Sequence, residues 1–361
     1  MVVNDLRSAI ELIKTMPDEY IETDVAVDPK AELSGVYRYV GAAGTVMRPT
    51  KIGPAMMFNN IKGHPDSRAV IGMLGSRKRV AAMLGTEPEK LGFFMRDAVK
   101  NPIAPTDFQG DAVPCQEVVH LATDEGFDIR KLIPAPTNTP EDGGPYLTMG
   151  LCLATHPELG VSDVTIHRLC LHNEDEITIF FTLGARHIGA FYEAAEKLDQ
   201  PLPISINIGL DPAIYLASGF EAPTTPMGYN ELSCAGALRQ KPVELCECIT
   251  IPEKAIARAE FVVEGEVLPH IRVPEDRATG SGKAMPEFPG CTGPAPMDPI
   301  IKVKAVTHRI HPILQTTIGP SQEHVHMAGL PTEASIINMV EAAMPGKLLN
   351  VYAHPSGGGK Y

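Results

Sequence analysis

Asp163-Val-Thr-Ile-His-Arg168, running through the apolar run 177–183 into Gly184-Ala-Arg186-His187-Ile-Gly189, is the stretch whose reading decides the fold. Read as a strand over 162–172, it puts Asp163, Thr165 and His167 on one face and Arg168 on the other, because side chains alternate with period two. Arg186 and His187 then stand where a strand hands over to a helix, expected over 189–198 from its Ala and Glu content. Backbone N–H groups at a helix start, with an arginine beside them, suit a phosphate. A carboxylate and an imidazole nearby suit a divalent metal held against that phosphate. Spacing alone also fits an ordinary strand, turn and helix with a surface His and Arg, and taken by itself favours that plainer reading.

Outward from this stretch, 118–121, 164–171, 177–183, 204–208, 243–248, 259–268 and 300–307 are strand-like runs with few helices between. Turn residues separate them, which predicts a mostly antiparallel sheet or barrel. Phe261, Val263, Gly265 and Val267 alternate with Val262, Glu264, Glu266 and Leu268, so one face is expected to be buried and the other more polar. Upstream, the chain reads as an α/β domain ending near Pro105. Asn4-Asp5 caps a first helix carrying Leu6, Ala9, Ile10 and Ile13 at helical spacing. Loop and strand are expected over 22–41, and helices over 76–84 and 88–97. His64, in a turn after a strand, reads as structural. Downstream, a helix is expected over 331–344, capped by Thr332 and ended by Pro345-Gly346, then a strand over 348–352. The Gly-rich turn 355–361 has no element behind it, so the last domain is expected to be truncated.

A chain of 361 residues exceeds one ordinary core, so two or three domains are expected. Hydrophobic content of 44% and charged content of 21% are those of a globular protein. A net charge of −13 argues against nucleic acid, because a phosphate backbone needs a basic face. None of the seven cysteines forms a CxxC pair, and Cys246 and Cys248 read as packing residues. With no signal peptide and no long apolar run, a reduced cytoplasmic setting without membrane contact is expected.

Four further acids and histidines stand out. Glu231 precedes the small-residue run Leu-Ser-Cys-Ala-Gly-Ala, which suits close packing of a helix against a cofactor; with Asp163 and His187 it completes an oxygen–nitrogen–oxygen set fit for Mn²⁺ or Mg²⁺. Taken alone it reads as a solvated acid at a helix start. Glu287 lies between Pro286 and Phe288, in a rigid, partly apolar loop that would raise a carboxyl pKa and let it deliver a proton; a loop acid with no role fits as well. His324 and His326, spaced as His-x-His, would share one face of a strand, a weak metal signal.

These segments resemble the UbiD-type decarboxylases, which use prenylated FMN, and within them the branch acting on protocatechuate and gallate. The resemblance is carried by Ala31-Glu-Leu-Ser-Gly-Val-Tyr37, Gly53-Pro-Ala-Met-Met-Phe58, Asp124-Glu-Gly-Phe-Asp-Ile-Arg-Lys131 and Ala135-Pro-Thr-Asn-Thr-Pro140. It continues with Ser162-Asp-Val-Thr-Ile-His-Arg168, Arg186-His-Ile-Gly-Ala-Phe191, Gly228-Tyr-Asn-Glu231, Lys283-Ala-Met-Pro-Glu-Phe-Pro-Gly290 and Pro331-Thr-Glu-Ala-Ser335. It implies an α/β (α+β) fold: an N-terminal α/β domain over 1–112, a central split β-barrel binding the flavin over 113–310, and the start of a C-terminal α/β oligomerisation domain over 311–361. It implies a metal site of Asp163, His187 and Glu231, holding Mn²⁺ or Mg²⁺, with K⁺ as a further ion. The wider family has Asn at position 163, so Asp here adds a negative charge beside the phosphate. Flavin contacts are implied for Asp163, Thr165, Ile166, His167, Arg168, Arg186, His187, Ile188, Gly189 and Glu231.

The resemblance further implies that Arg168 pairs with catalytic acids and that Glu287 returns a proton. The family's second acid would fall at Gly282, so Glu275 is the candidate to replace it. His324 falls where the phenolic-acid branch places a histidine near the substrate hydroxyls. A small aromatic acid as substrate, a flavin prenyltransferase as cofactor supplier and homo-oligomerisation are the implied partners. Loss of CO₂ from an aromatic acid needs an electron acceptor, a positioned ring and a proton donor. Two other readings stay open: a split-barrel redox protein binding plain FMN, and an inactive fragment or assembly subunit.

Overall fold

Six strands close on one another in the middle of the chain, and every other element is placed by them. The structure, a computed structural model, describes residues 2–42, 51–181, 187–287 and 290–359. The strands are β1 (Tyr146–Thr155), β2 (Ser162–Leu171), β3 (Glu176–Ile179), β4 (Leu202–Ile208), β5 (Phe261–Pro274) and β6 (Met297–His308). All neighbours are antiparallel: β4 pairs with β1, β1 with β2, β2 with β3, β3 with β6, β6 with β5, and β5 returns to β4. The ring is therefore a closed barrel, as the strand-and-turn pattern predicts, and closure leaves these strands without free edges. Leu169, Leu171, Ile177, Ile179, Ile204, Ile206, Phe261, Val263 and Val303 share one apolar cluster.

The more polar face expected on β5 is covered at its first acid. Glu264 is fully buried and accepts hydrogen bonds from the N–H groups of Ile249 (2.8 Å) and Thr250 (2.6 Å). Further along that face Glu266 is partly exposed and pairs with Lys304 at 2.9 Å, so the covering ends near Glu264.

In front of the barrel lies a four-stranded mixed sheet. Tyr20–Thr23 runs parallel to Ala55–Phe58, which is antiparallel to Arg68–Ile71. The fourth strand, Ile313–Gln315, comes from beyond the barrel and lies parallel to Arg68–Ile71. Helix Leu6–Lys14 packs beside it with Leu6, Ala9, Ile10 and Ile13 buried, and Asp5 caps it by accepting from the Ser8 N–H. Where loop and strand were expected, Glu32–Ala42 is a helix. Gly35, Gly41 and the β-branched Val36 and Val40 lower its intrinsic propensity. The burial of Leu33 and Tyr37, four residues apart, outweighs that cost.

Three helices matter for the site: α1 (His187–Lys197), α2 (Glu231–Leu238) and α3 (Gln322–Ala343). The last begins nine residues before the expected helix over 331–344. Ser321 caps it by accepting from the His324 N–H, and Pro331 lies inside it. Thr332 is no cap; its hydroxyl donates to the Ala328 carbonyl at 2.8 Å. Proline costs a helix one hydrogen bond, but the turns before it are anchored by Glu323, which accepts from the Gly72 and Leu74 N–H groups at 3.0 Å each. The expected His-x-His strand face is therefore overturned. His324 and His326 sit about 200° apart around a helix, and His326 donates from Nδ1 to the Leu74 carbonyl at 2.7 Å. Residues 348–352 form no strand either; they run as irregular chain, and Asn350 donates to the Glu89 carbonyl. Among the described residues, no helix is long and apolar enough to cross a membrane.

Candidate metal and acid centre

Strand β2 carries the centre on both of its faces. Asp163, Thr165 and His167 keep the phase of Leu169 and Leu171, and all three are buried. Thr165 stands opposite Cys152 of β1, and Asp163 opposite Ala154. His167 donates from Nδ1 to the Phe180 carbonyl at 3.1 Å and meets the Phe181 ring edge-on. That carbonyl can only accept, so it fixes the imidazole tautomer. Ile166, in the opposite phase, is half-buried against a second apolar cluster.

Two helix starts converge on Asp163. His187 opens α1, and its Nδ1 lies 3.2 Å from Asp163 Oδ2. Glu231 opens α2 behind the Asn230 cap, whose side chain accepts from the Leu232 N–H at 2.9 Å. Asp163, His187 and Glu231 each offer a ligand atom, and these atoms lie within 4.8 Å of one another. Glu231 is 3% exposed, and its Oε2 has no hydrogen-bond partner among the described residues. Burial, then the hydrogen bond and charge of Asp163, push its pKa up to about 9. Two buried carboxylates and an imidazole, with one carboxylate oxygen unpaired among the described residues, form a donor set for a cation. A hard divalent ion satisfies that donor set; a structural zinc, which prefers sulfur and nitrogen, does not.

The small residues after Glu231 serve protein packing. A Cβ on Gly236 would lie 2.3 Å from the Ile103 carbonyl oxygen, and the Ile103 N–H donates to the Ser233 carbonyl at 2.9 Å. They let α2 lie against backbone and so fix Glu231. Ile188 is buried in the barrel's apolar cluster. At Gly189 an added Cβ would meet Phe181 only at ordinary contact distance, 3.7 Å. Arg186 lies outside the described residues.

On the other face of β2, Arg168 stacks over the Phe180 ring at 4.3 Å. Its Nε and Nη2 donate to the two oxygens of Glu275 at 2.6 and 2.8 Å, and its Nη1 donates to Glu287. Glu275 follows the end of β5, where its N–H donates to the Pro296 carbonyl. Gly282, at the place of the expected second acid, faces open space. The long strand β5 thus delivers Glu275 to the arginine from further back in the chain. Burial raises the Glu275 pKa while the charge of Arg168 opposes that rise.

Asp298, which sequence reasoning missed, completes the cluster. It is 3% exposed, its Oδ2 has no partner among the described residues, and burial followed by the Glu275 charge raises its pKa to about 7. The sequence does not flag it, because Asp298 shares its alternation phase with Lys302 and Lys304.

His324 is half-buried in the first turn of α3. The segment before it is tied to the acid loop, since a Cβ on Gly319 would lie 2.6 Å from the Pro286 carbonyl oxygen. Through Gly319, the start of α3 and the backbone at Glu287 are packed together.

A family model described as the 3-octaprenyl-4-hydroxybenzoate carboxy-lyase Rift-related domain matches residues 107–322. A second, the N-terminal domain of the same carboxy-lyase, matches residues 14–99. Gallate decarboxylase of Lactiplantibacillus plantarum is 56% identical over 357 residues, which is 99% of this chain and 73% of that protein. The apo structure of 3,4-dihydroxybenzoic acid decarboxylase from Enterobacter cloacae superposes with a TM-score of 0.95 at 59% identity, covering 100% of this chain and 74% of that one. An evolved dimeric form of the UbiD-class enzyme HmfF from Pelotomaculum thermopropionicum, in complex with prFMN, gives a TM-score of 0.87 at 31% identity, covering 99% and 77%.

Proposed function

The chain belongs to the UbiD family of carboxy-lyases, and from that premise we propose that it removes CO₂ from a hydroxybenzoic acid of the gallate or protocatechuate type to give the phenol, using prenylated FMN. The observation that carries this reading is the arginine with two acids, Glu275–Arg168–Glu287, set on the same strand as the Asp163–His187–Glu231 cluster. Plain flavin redox chemistry has no use for two carboxylates gathered on one guanidinium.

We assign the roles as follows. Asp163, His187 and Glu231 hold the divalent ion, Mn²⁺ or Mg²⁺, that neutralises the flavin phosphate; K⁺ is a candidate second ion. Thr165, Ile166, His167, Ile188, Gly189 and Arg186 belong to the flavin-binding wall. When bound, the modified flavin supplies the electron acceptor for the ring carbon that loses CO₂. Arg168 is held flat on Phe180 and bidentately by Glu275, so its remaining N–H groups are pre-set for the substrate carboxylate and for Glu287. Glu287, just past the strand Lys283–Pro286 and only partly exposed, carries the proton to the ring carbon. His324 faces the phenol hydroxyls and polarises one of them. A flavin prenyltransferase supplies the cofactor, and copies of the chain associate. The division at 112 and 310 belongs to the same proposal, with 311–361 acting in one layer with the first domain.

Co-expression with a flavin prenyltransferase, followed by a panel of hydroxybenzoates with CO₂ measured, tests the reaction. Glu287→Gln is expected to lower turnover at least about a hundredfold, within the range general acids contribute, while the flavin spectrum stays. Normal turnover in that variant removes Glu287 from the donor role; a wild-type chain that holds the flavin yet releases no CO₂ from any member of the panel defeats the whole reading.

A further inference from the structure

At the end of β6 away from the acids, two imidazoles point their nitrogens at each other. His120 Nε2 and His308 Nε2 are 3.1 Å apart, and the rings lie end to end with centroids 5.2 Å apart and planes inclined by 22°. His308 is the last residue of β6, and Met297, at the other end, pairs with Pro274 beside Glu275. A strand of 12 residues, at about 3.3 Å each, separates this pair from the catalytic acids. The pair lines a cleft of about 360 Å³ that also includes His64, Asp66, Lys131 and His311.

The tautomer of His308 is set by the backbone. Its Nδ1 lies 2.8 Å from the Arg309 carbonyl, which can only accept, so Nδ1 carries the proton and Nε2 presents its lone pair. A carbonyl accepting from the far nitrogen is the usual arrangement for an imidazole that ligates a metal. Two nitrogens at about 2.0–2.1 Å from a tetrahedral ion stand about 3.3 Å apart, close to the separation seen. Burial, offset in part by the Arg309 carbonyl and reinforced by His120, favours the neutral ring at His308.

We propose that His120 and His308 form a second metal site, through their Nε2 atoms, for a divalent transition ion of the zinc, nickel or copper class. The choice follows from nitrogen donors, which suit those ions better than Mg²⁺ or Mn²⁺. Among the described residues, no third His, Cys, Asp or Glu brings a ligand atom within 4.8 Å of both nitrogens, so water completes the coordination and one or two positions stay open. The ion clasps the strand Val118–Leu121, which pairs with β6 from Ala305 to His308, to the barrel. This site is independent of the decarboxylase reading.

The test uses the chelator-dialysed full chain in a His187→Gln background, which removes the imidazole of the first cluster. Calorimetric titration with Zn²⁺ is expected to show one binding event, and one equivalent of Cu²⁺ is expected to give an electron paramagnetic resonance signal split by two nitrogens. Adding His308→Gln or His120→Gln should weaken Zn²⁺ at least tenfold and leave one nitrogen coupling. Unchanged affinity and coupling in both variants overturns the site and leaves the pair a simple Nε2–H···Nε2 hydrogen bond. Should the His308 variant fail to fold, Zn²⁺ should raise the Tm of the otherwise unaltered chain by a few degrees and leave His120→Gln unmoved; an equal rise in both also overturns it.

Discussion

Glu231 sits at the positive end of a helix, which favours its charge, yet burial and Asp163 hold its pKa near 9. A metal ligand must be ionised, so an ion entering this cluster displaces that proton. Mn²⁺ affinity is therefore expected to rise about tenfold per pH unit between pH 6 and 8, below the pKa at which the group ionises unaided. Equilibrium binding followed by electron paramagnetic resonance reads this directly, and an affinity independent of pH would count against Glu231 as ligand. Glu231→Gln should both weaken binding and remove the slope. These residues were within reach of the sequence because period-two alternation and the helix start at His187 are local properties. Asp298 was not, since Met297-Asp-Pro reads as a turn, and only the barrel wall behind it makes that carboxylate buried.

Helix α2 shows how packing behind a side chain can set that side chain's position. Its glycine lies against the Ile103 carbonyl, so Gly236→Ala must push the helix away. Overpacking of this kind costs about 1–3 kcal/mol, less up to about 1 kcal/mol regained from helix propensity. The variant is expected to lower Tm and also to loosen Mn²⁺, because Glu231 moves with the helix; a lowered Tm with unaltered Mn²⁺ binding would separate packing from positioning. Five of the six barrel strands could be read from alternation and turns; β1, over Tyr146–Thr155, was not among the expected runs. The helices Glu32–Ala42 and the front of α3 could not. Their sequences carry Gly, Val and Pro against helix, and contacts distant in the chain, such as Glu323 with Gly72 and Leu74, decide the matter.

For the molecule as a whole, buried ionisable groups act in opposite senses on stability. Burial lowers the His326 pKa from 6.5 to about 4, so the unfolded chain takes up a proton first and stability is lost as pH falls from 6.5 toward 4. Asp298 moves the other way, from 3.8 to about 7: the folded chain keeps its proton longer, and that contribution is lost as pH rises toward 7. Over the shared window they offset each other. Asp298→Asn removes one of them, so its Tm relative to the parent chain is expected to climb steadily from pH 4 to pH 7 in thermal unfolding scans. A constant difference would show that Asp298 ionises in the fold as it does in water.

The return of Ile313–Gln315 to the first sheet means that the chain stitches its two layers together twice. A piece ending at residue 310 would leave Arg68–Ile71 an open edge ready to recruit a stray strand. Fragments 1–310 and 311–361, produced apart, should accordingly reassemble by complementation when mixed, and neither should stay dispersed alone.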